Sequence, residues 1–133
     1  MAVSFGVNYL AIIVAAIVAV AIGILYYGII GIGDRQARML GAGPARPGPA
    51  QVATGLIVGL VNAWVIAVLS LNLGASSVVD AIVLGALVWL GFAATLKAAQ
   101  VAFERRPWAV WGMQAIHDLT VEVVVAGIVT LWR

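Results

Sequence analysis

The chain is built from four long apolar stretches separated by short polar segments. The apolar stretches cover residues 8–32, 51–73, 77–103 and 109–132. A helix that crosses a bilayer needs about 20 predominantly apolar residues, and each stretch has that length. The apolar runs are too long for strands, and they do not alternate with polar residues. The pattern therefore predicts an all-α integral membrane protein, a four-helix bundle formed as one domain by residues 1–133.

Composition favours a membrane protein over a soluble one. Hydrophobic residues make up 65% of the 133 residues and charged residues only 9%, which is too little polar material to cover a soluble domain. The chain has no cysteine, so disulfides and cysteine–metal clusters are excluded. The net charge is only +2 and the seven basic residues are not gathered into a nucleic-acid-binding face, so we expect no nucleic-acid partner.

The basic residues predict the orientation in the membrane. The loop over residues 33–50 holds three arginines and the loop over residues 104–108 holds two, whereas the loop between the second and third spans holds none. Because Lys and Arg concentrate in cytoplasmic loops, we expect both arginine-bearing loops in the cytoplasm and both termini on the non-cytoplasmic side. The expected location is the bacterial inner membrane, as a multi-pass protein.

Local signals mark two helix starts and one packing face. Asp34 is placed to cap a short interfacial turn over residues 34–40, and Ser77 with Asp80 resembles a capping box at the start of the third span. Small residues recur every four positions in the first two spans, which lets helix backbones approach closely in lipid, although chance in an alanine-rich chain is the alternative. These residues are Ala11, Ala15, Ala19 and Gly23, then Gly55, Gly59, Ala63 and Ala67.

The candidate chemistry lies in the fourth span, where HDLTVE carries His117, Asp118 and Glu122. Counted from the start of that span, Asp118 lies about 13 Å and Glu122 about 19 Å into a core about 30 Å thick. Lys97 in the third span lies about 10 Å from the cytoplasmic edge. A charge that faces lipid at mid-depth costs several kcal/mol, so these side chains should face the bundle interior or water.

Other polar and aromatic side chains are predicted to complete this site. They fall mainly between mid-depth and the cytoplasmic edge, and those of the fourth span share an arc of about 140°. The further polar candidates for a proton, ion or ligand site are Gln114, Gln100, Asn62, Tyr26 and Tyr27, and the candidates for a pocket wall are Trp64, Trp89 and Trp111.

The two carboxylates are close enough in the sequence to affect each other's charge state. Asp118 and Glu122 are one helical turn apart in a low-dielectric setting, so at least one should be protonated near neutral pH unless a cation compensates. Lys97 matches Asp118 in depth and can supply that cation, which indicates a proton or cation site. Two alternatives remain. Lys97 and Asp118 form a buried pair that only fixes helix register, or Lys97 extends to the interface.

Metal binding is not expected. One histidine and two carboxylates suffice in number to hold a divalent ion, but their spacing matches no dedicated metal motif. The sequence therefore predicts neither a metal nor another cofactor.

Three stretches of the chain resemble a known family. They are NYLAIIVAAIVAVAIGILYYG at residues 8–28, LGALVWLGFAATLKAAQVAFERRPW at residues 84–108, and the ending AGIVTLW. Their most specific pieces are the aromatic pair before Gly28, the LGF run over residues 90–92 and the F-x-x-RPW turn over residues 103–108. The chain resembles, over nearly its whole length, the bacterial membrane family described as domain of unknown function 1761.

The resemblance implies a compact four-span protein and brings no established activity. Gln114 stands where the family pattern tends toward a small polar residue, and His117 stands where a histidine or tyrosine is usual. Asp118 and Glu122 stand at positions that the pattern leaves mostly apolar. The carboxylates are therefore either a specialisation of this protein or unrelated to the family's shared role.

Three classes of function follow from these observations. The first and favoured one is an oligomeric conduit or carrier for protons, small ions or a small solute, because four spans alone make a thin-walled bundle. The second is a membrane-embedded acid–base enzyme or a binding protein for a lipid, sterol or quinone. Nothing marks a nucleophile, so we lean against an enzyme. The third is a structural or accessory subunit. The expected partners are the lipid bilayer and copies of the same chain, with a lipid or small-molecule ligand in the second class.

Overall fold

The computed structural model describes residues 1–44 and 46–133, and within them it consists of helices joined by short turns, without a strand. In chain order the helices are α1 (Tyr9–Gly23), α2 (Ile32–Met39), α3 (Pro49–Leu73), α4 (Val78–Val88), α5 (Thr95–Phe103) and α6 (Trp108–Leu131). Two π-helical segments interrupt them: π1 (Ile24–Ile29) follows α1, and π2 (Trp89–Ala94) joins α4 to α5.

Four continuous helical stretches are long and apolar enough to cross a membrane. They are Tyr9–Ile29, Pro49–Leu73, Val78–Phe103 and Trp108–Leu131. Each lies within one of the four apolar stretches of the sequence or differs from it by a few residues. The prediction of an all-α protein with four apolar spans is confirmed. The first and third spans each contain a π-helical segment, which the sequence analysis did not predict.

Side-chain caps explain why two spans begin where they do. Asn8 caps α1, because its side-chain oxygen accepts hydrogen bonds from the backbone N–H groups of Leu10 and Ala11. At the start of α4, the Ser77 hydroxyl accepts from the Asp80 N–H at 3.1 Å, and the Asp80 carboxylate accepts from the Ser77 N–H at 2.9 Å. The predicted capping box at Ser77 and Asp80 is confirmed.

The predicted cap at Asp34 is wrong. Helix α2 begins two residues earlier, at Ile32, directly after Gly31. Gly31 has a φ of 85°, a left-handed conformation that lets the chain turn sharply out of the first span. Asp34 therefore lies in the first turn of α2, where its negative charge is favourable next to the helix N-terminus, but it does not cap the helix.

The two ends of the bundle are fixed by contacts between distant parts of the chain. At one end, which we call the terminal end, the Asn8 side chain donates to the Trp132 carbonyl and the Ser4 N–H donates to Asn72. The buried hydroxyls of Ser70 and Thr130 also meet there, 2.9 Å apart. The opposite end carries α2, the start of α3 and the turn between α5 and α6, and we call it the arginine end.

The hydrophobic core fills the half of the bundle nearer the terminal end. Ala15, Ala63, Ile66, Val125 and Ala126 are fully buried there between α1, α3 and α6. The predicted small-residue contact between the first two spans forms in this half. A Cβ added to Gly59 would lie 3.5 Å from the Cβ of Ala16, and Ala11, Ala15, Ala63 and Ala67 are buried. A Cβ on Gly55, one turn nearer the arginine end, would meet no atom within 4 Å.

The half nearer the arginine end is open along α3 and π1. All ten residues at positions 49–58 of α3 are exposed in the isolated chain. Segment π1 buries no residue, and α5 buries only Val101. The bundle is therefore tightly packed toward the terminal end, whereas at the arginine end α3 and π1 are splayed and the α5–α6 pair stays packed through the buried Val101 and Val110. Apart from Trp64, the predicted site residues lie where these two halves meet and in the half nearer the arginine end.

Helices α4 and α6 cross closely at this boundary. A Cβ built on Gly85 of α4 would lie 2.7 Å from Val123 Cα and 2.8 Å from the Glu122 carbonyl oxygen of α6. Both neighbours are backbone atoms, which cannot rotate away. Only glycine allows α4 and α6 to meet this closely, and the contact fixes α6 beside Glu122.

Candidate functional site

The first half of the site is a group of three ionisable side chains on α5 and α6, which we call the Asp118 cluster. The Lys97 Nζ donates to Asp118 Oδ2 at 2.5 Å, and His117 Nδ1 lies 3.0 Å from Asp118 Oδ1. The Asp118 side chain is 13% exposed and that of Lys97 is 37% exposed. The predicted pairing of Lys97 with Asp118 forms, so Lys97 is held at the carboxylate and does not extend to the interface.

The second half of the site joins α6 to α3. Glu122 lies one helical turn beyond Asp118, and its Oε2 accepts a hydrogen bond from the Asn62 side-chain amide at 3.0 Å. Within the described part of the chain, no basic side chain lies at ion-pair distance from Glu122. Glu122 thus has a neutral partner, whereas Asp118 has a cationic one.

Aromatic rings enclose the histidine. The His117 ring centroid lies 4.8 Å from that of Tyr27 and 5.6 Å from that of Tyr26, both on π1. The other ring nitrogen, Nε2, is buried and has no hydrogen-bond partner among the residues that the structure describes. It faces Gly23, where an added Cβ would lie 3.6 Å away. His117 therefore contacts Asp118 through Nδ1 and the tyrosine pair through its ring. Its Nε2 has no partner among the described residues.

Three aromatic side chains fix both π-helical segments against the first third of α6. The Tyr26 hydroxyl of π1 donates to the Met113 carbonyl at 2.8 Å. The Trp89 indole N–H of π2 donates to the Ala115 carbonyl at 3.0 Å, and the Trp111 indole N–H donates back to the Ala94 carbonyl of π2 at 2.9 Å. π-helical turns are frequent at functional sites, and here both adjoin the Asp118 cluster.

Some predicted site residues lie elsewhere. Gln100 donates to the exposed Glu104 at 3.0 Å, so it belongs to the surface of α5. Trp64 is 37% exposed and stacks on Phe5, with ring centroids 5.9 Å apart. It is two residues beyond Asn62 and thus about 200° around α3, which turns it away from Glu122. The three tryptophans therefore do not form one pocket wall: only Trp89 and Trp111 flank the site.

Gln114 remains beside the site without a defined role. It is half-buried on α6, one turn before Asp118, and the structure shows no side-chain hydrogen bond to it from any described residue. The described residues also contain no group of three or more His, Asp or Glu side chains arranged to hold a metal ion. The chemistry of the site is therefore that of carboxylates, an imidazole and an ammonium group, all of which bind or exchange protons.

The tyrosine pair allows a matched test of this geometry. Replacing Tyr26 with Phe removes the hydrogen bond to Met113, and we expect it to lower the free energy of unfolding by about 1 kcal/mol. Replacing Tyr27 with Phe should cost less, since its ring packing on His117 is kept. Unfolding in mixed detergent, followed by circular dichroism, measures both values. Equal losses for the two variants would contradict the assigned roles.

Comparison with known proteins adds a family and no activity. The model of the family described as Protein of unknown function (DUF1761) matches residues 10–130. No curated protein and no solved structure matches the chain. The matched region covers the four apolar spans except for one residue at each outer end, and it contains every residue of the site described above.

Proposed function

Because the chain belongs to the DUF1761 family of proteins of unknown function, which supplies no activity, we propose a function from the site itself. The proposed function is the binding and carriage of protons or small cations by Asp118 and Glu122. The observation that carries the proposal is the unequal partnering of two carboxylates one turn apart inside a membrane span. Asp118 has Lys97, whereas Glu122 has only the amide of Asn62.

Charge balance makes Glu122 the exchangeable member of the pair. An isolated negative charge is poorly solvated inside a membrane and is retained when it serves a function. A proton or a small cation is the partner that Glu122 lacks. The Asp118 cluster lies beside it and offers further proton-exchanging groups, with His117 in contact with Asp118 at 3.0 Å. Asn62 orients the Glu122 carboxylate without neutralising it.

The unequal packing of the two halves supports a carrier over a fixed pore. The loose packing of α3 and π1 at the arginine end supports access of ions to Asp118 from that side. Fully buried side chains such as Ile66 and Val125 occupy the path from Glu122 to the terminal end. Release on the other side then requires a repacking of helices, as in carriers that expose a mid-membrane site to each side in turn.

The proposal also includes the orientation, the cellular location and the oligomeric assembly of the protein. The concentration of arginines in loops 33–50 and 104–108 supports a cytoplasmic position for the arginine end, with both termini on the other side of a bacterial inner membrane. Four spans form a thin bundle, and Lys97 is 37% exposed within the membrane. A second copy of the chain, or water held between copies, would shield that charge, so we include a homo-oligomer in the proposal.

A purely structural role is the second candidate, and one observation favours it. Lys97 and Asp118 already compensate each other across α5 and α6, and such a pair can serve only to fix the register of two helices. This candidate predicts that removing both charges together leaves the activity of the protein unchanged. A catalytic role has no comparable support, because the site presents no nucleophile next to a base.

Ion flux into liposomes tests the proposed function. Purified wild type should raise proton or cation flux above that of protein-free liposomes. Asp118→Asn and Glu122→Gln should return the flux to the protein-free level, because each removes an ionisable group of the site. Asp34→Asn is the matched control, since it removes an exposed carboxylate on α2, and it should keep wild-type flux. Absence of flux in folded wild type, or equal flux in all variants, would overturn the proposal.

A further inference from the structure

The arginine end carries most of the charge of the molecule. It has five arginines against two carboxylates, which leaves a net charge of +3. The arginines are Arg35, Arg38, Arg46, Arg105 and Arg106, and the carboxylates are Asp34 and Glu104. At the terminal end, Arg133 and Asp80 balance each other. The two ends of the bundle, the arginine end and the terminal end, therefore differ strongly in charge.

Helix α2 places two of these arginines at the membrane surface. It follows the first span after the sharp turn at Gly31, and it buries none of its residues. Arg35 and Arg38 are three positions apart on one face, and both are exposed. Met39 and Leu40 at its end are 37% and 38% exposed, so they can enter the acyl region beside the helix. This combination is typical of a helix that lies in the interface plane.

The turn between α5 and α6 places two more arginines at the same end. Arg105 has a φ of 53°, a left-handed conformation that tightens the turn, and its side chain is exposed. Arg106 is half-buried and forms an ion pair with Glu104, so one of the two carboxylates is already engaged. Helix α2 packs against α6, which begins directly after this turn. The two arginine pairs therefore flank the same part of the surface.

We propose that the arginine end binds the headgroups of anionic phospholipids, with Arg35, Arg38 and Arg105 as the main contacts. Guanidinium groups bind phosphate oxygens in a bidentate manner, and basic segments next to a span are attracted to anionic leaflets. The arginines are held at headgroup depth by spans on either side. The apolar end of α2 adds contact with acyl chains that a free phosphate ion cannot provide. This inference does not depend on ion carriage.

Lipid retention measures this binding directly. The full chain is reconstituted in liposomes of equal parts phosphatidylglycerol and phosphatidylcholine and extracted in mild detergent, and the retained lipids are quantified by mass spectrometry. We expect the wild-type ratio of phosphatidylglycerol to phosphatidylcholine to exceed that of the liposome. Removal of each arginine should lower the retention of phosphatidylglycerol by about five-fold, so Arg35→Gln with Arg38→Gln should have a larger effect than Arg105→Gln alone.

Three further measurements serve as controls for this binding. Arg133→Gln removes the same charge at the terminal end and should leave the ratio at the wild-type value. High salt, about 0.5 M NaCl, should lower the wild-type ratio, which provides a test without any substitution. Added glycerol phosphate should not displace the retained lipid. A wild-type ratio equal to that of the liposome would overturn the proposal. So would an equal drop in Arg133→Gln, or displacement by glycerol phosphate.

Discussion

Gly85→Ala is expected to destabilise the protein by about 3 kcal/mol or more. The added Cβ would lie 2.7 Å from Val123 Cα and 2.8 Å from the Glu122 carbonyl oxygen, so helices α4 and α6 must move apart. Overpacking of a side chain that can adjust costs about 1–3 kcal/mol, and here both obstacles are backbone atoms. Because α6 holds the site, the same change should weaken the hydrogen bond between Asn62 and Glu122. Unfolding in mixed detergent, followed by circular dichroism, gives the free energy.

Gly127→Ala is the control for this prediction. It adds the same methyl group to α6 at a position where an added Cβ meets no atom within 4 Å. Alanine is the better helix former by about 0.5–1 kcal/mol, so this variant should be as stable as wild type or more stable. If Gly85→Ala unfolds at the same detergent fraction as Gly127→Ala, the close crossing of α4 and α6 is wrong.

The second large effect concerns the charge pair. Asp118→Leu leaves Lys97 without a counter-charge at membrane depth, and breaking a buried pair in this way costs about 3–5 kcal/mol. We expect the lower end of that range, because the long Lys97 stem can extend toward the interface about 10 Å away. The double substitution of Lys97→Met with Asp118→Leu removes both charges together. It should restore stability to within about 1 kcal/mol of wild type, or exceed it.

The same double variant separates the two candidate functions. If Lys97 and Asp118 only fix helix register, an apolar pair of similar volume replaces them and the protein keeps whatever activity it has. If the cluster carries ions, the double variant folds and loses flux. A double variant that is as unstable as Asp118→Leu alone would contradict the pairing, because it would mean that the two residues act independently.

The fold class and the charge pair were predictable from simple counts. Span length and apolarity define membrane helices because the thickness of the hydrocarbon core is fixed. Depth also follows from counting, since each residue advances a helix by about 1.5 Å. Lys97 and Asp118 were matched in depth on adjacent spans, which was sufficient to predict their pairing. The capping box at Ser77 and Asp80 was predictable because it depends on residues three positions apart.

Contacts that depend on helix rotation were not predictable in the same way. Counting places Asn62 near mid-depth, but its bond to Glu122 depends on how α3 is turned relative to α6. The π-helical segments have no distinct composition, and each changes the direction in which later side chains point. Trp64 was predicted to share a pocket wall with Trp89 and Trp111, and the rotation of α3 turns it toward Phe5. Gly85 lies four residues after Ala81. This spacing of small residues is common in so alanine-rich a chain, so it did not mark Gly85 as a contact site.

We propose that the ionisable site lies inside the membrane and is reached from the arginine end only. The absence of native cysteine allows a direct test with single cysteines and a membrane-impermeant thiol reagent applied to each side of sealed vesicles. We predict that Gln114→Cys reacts from the arginine side alone and that Ala126→Cys, fully buried toward the terminal end, reacts from neither. Reaction of Ala126→Cys, or a Gln114→Cys that reacts from the terminal side or from neither side, would contradict the account.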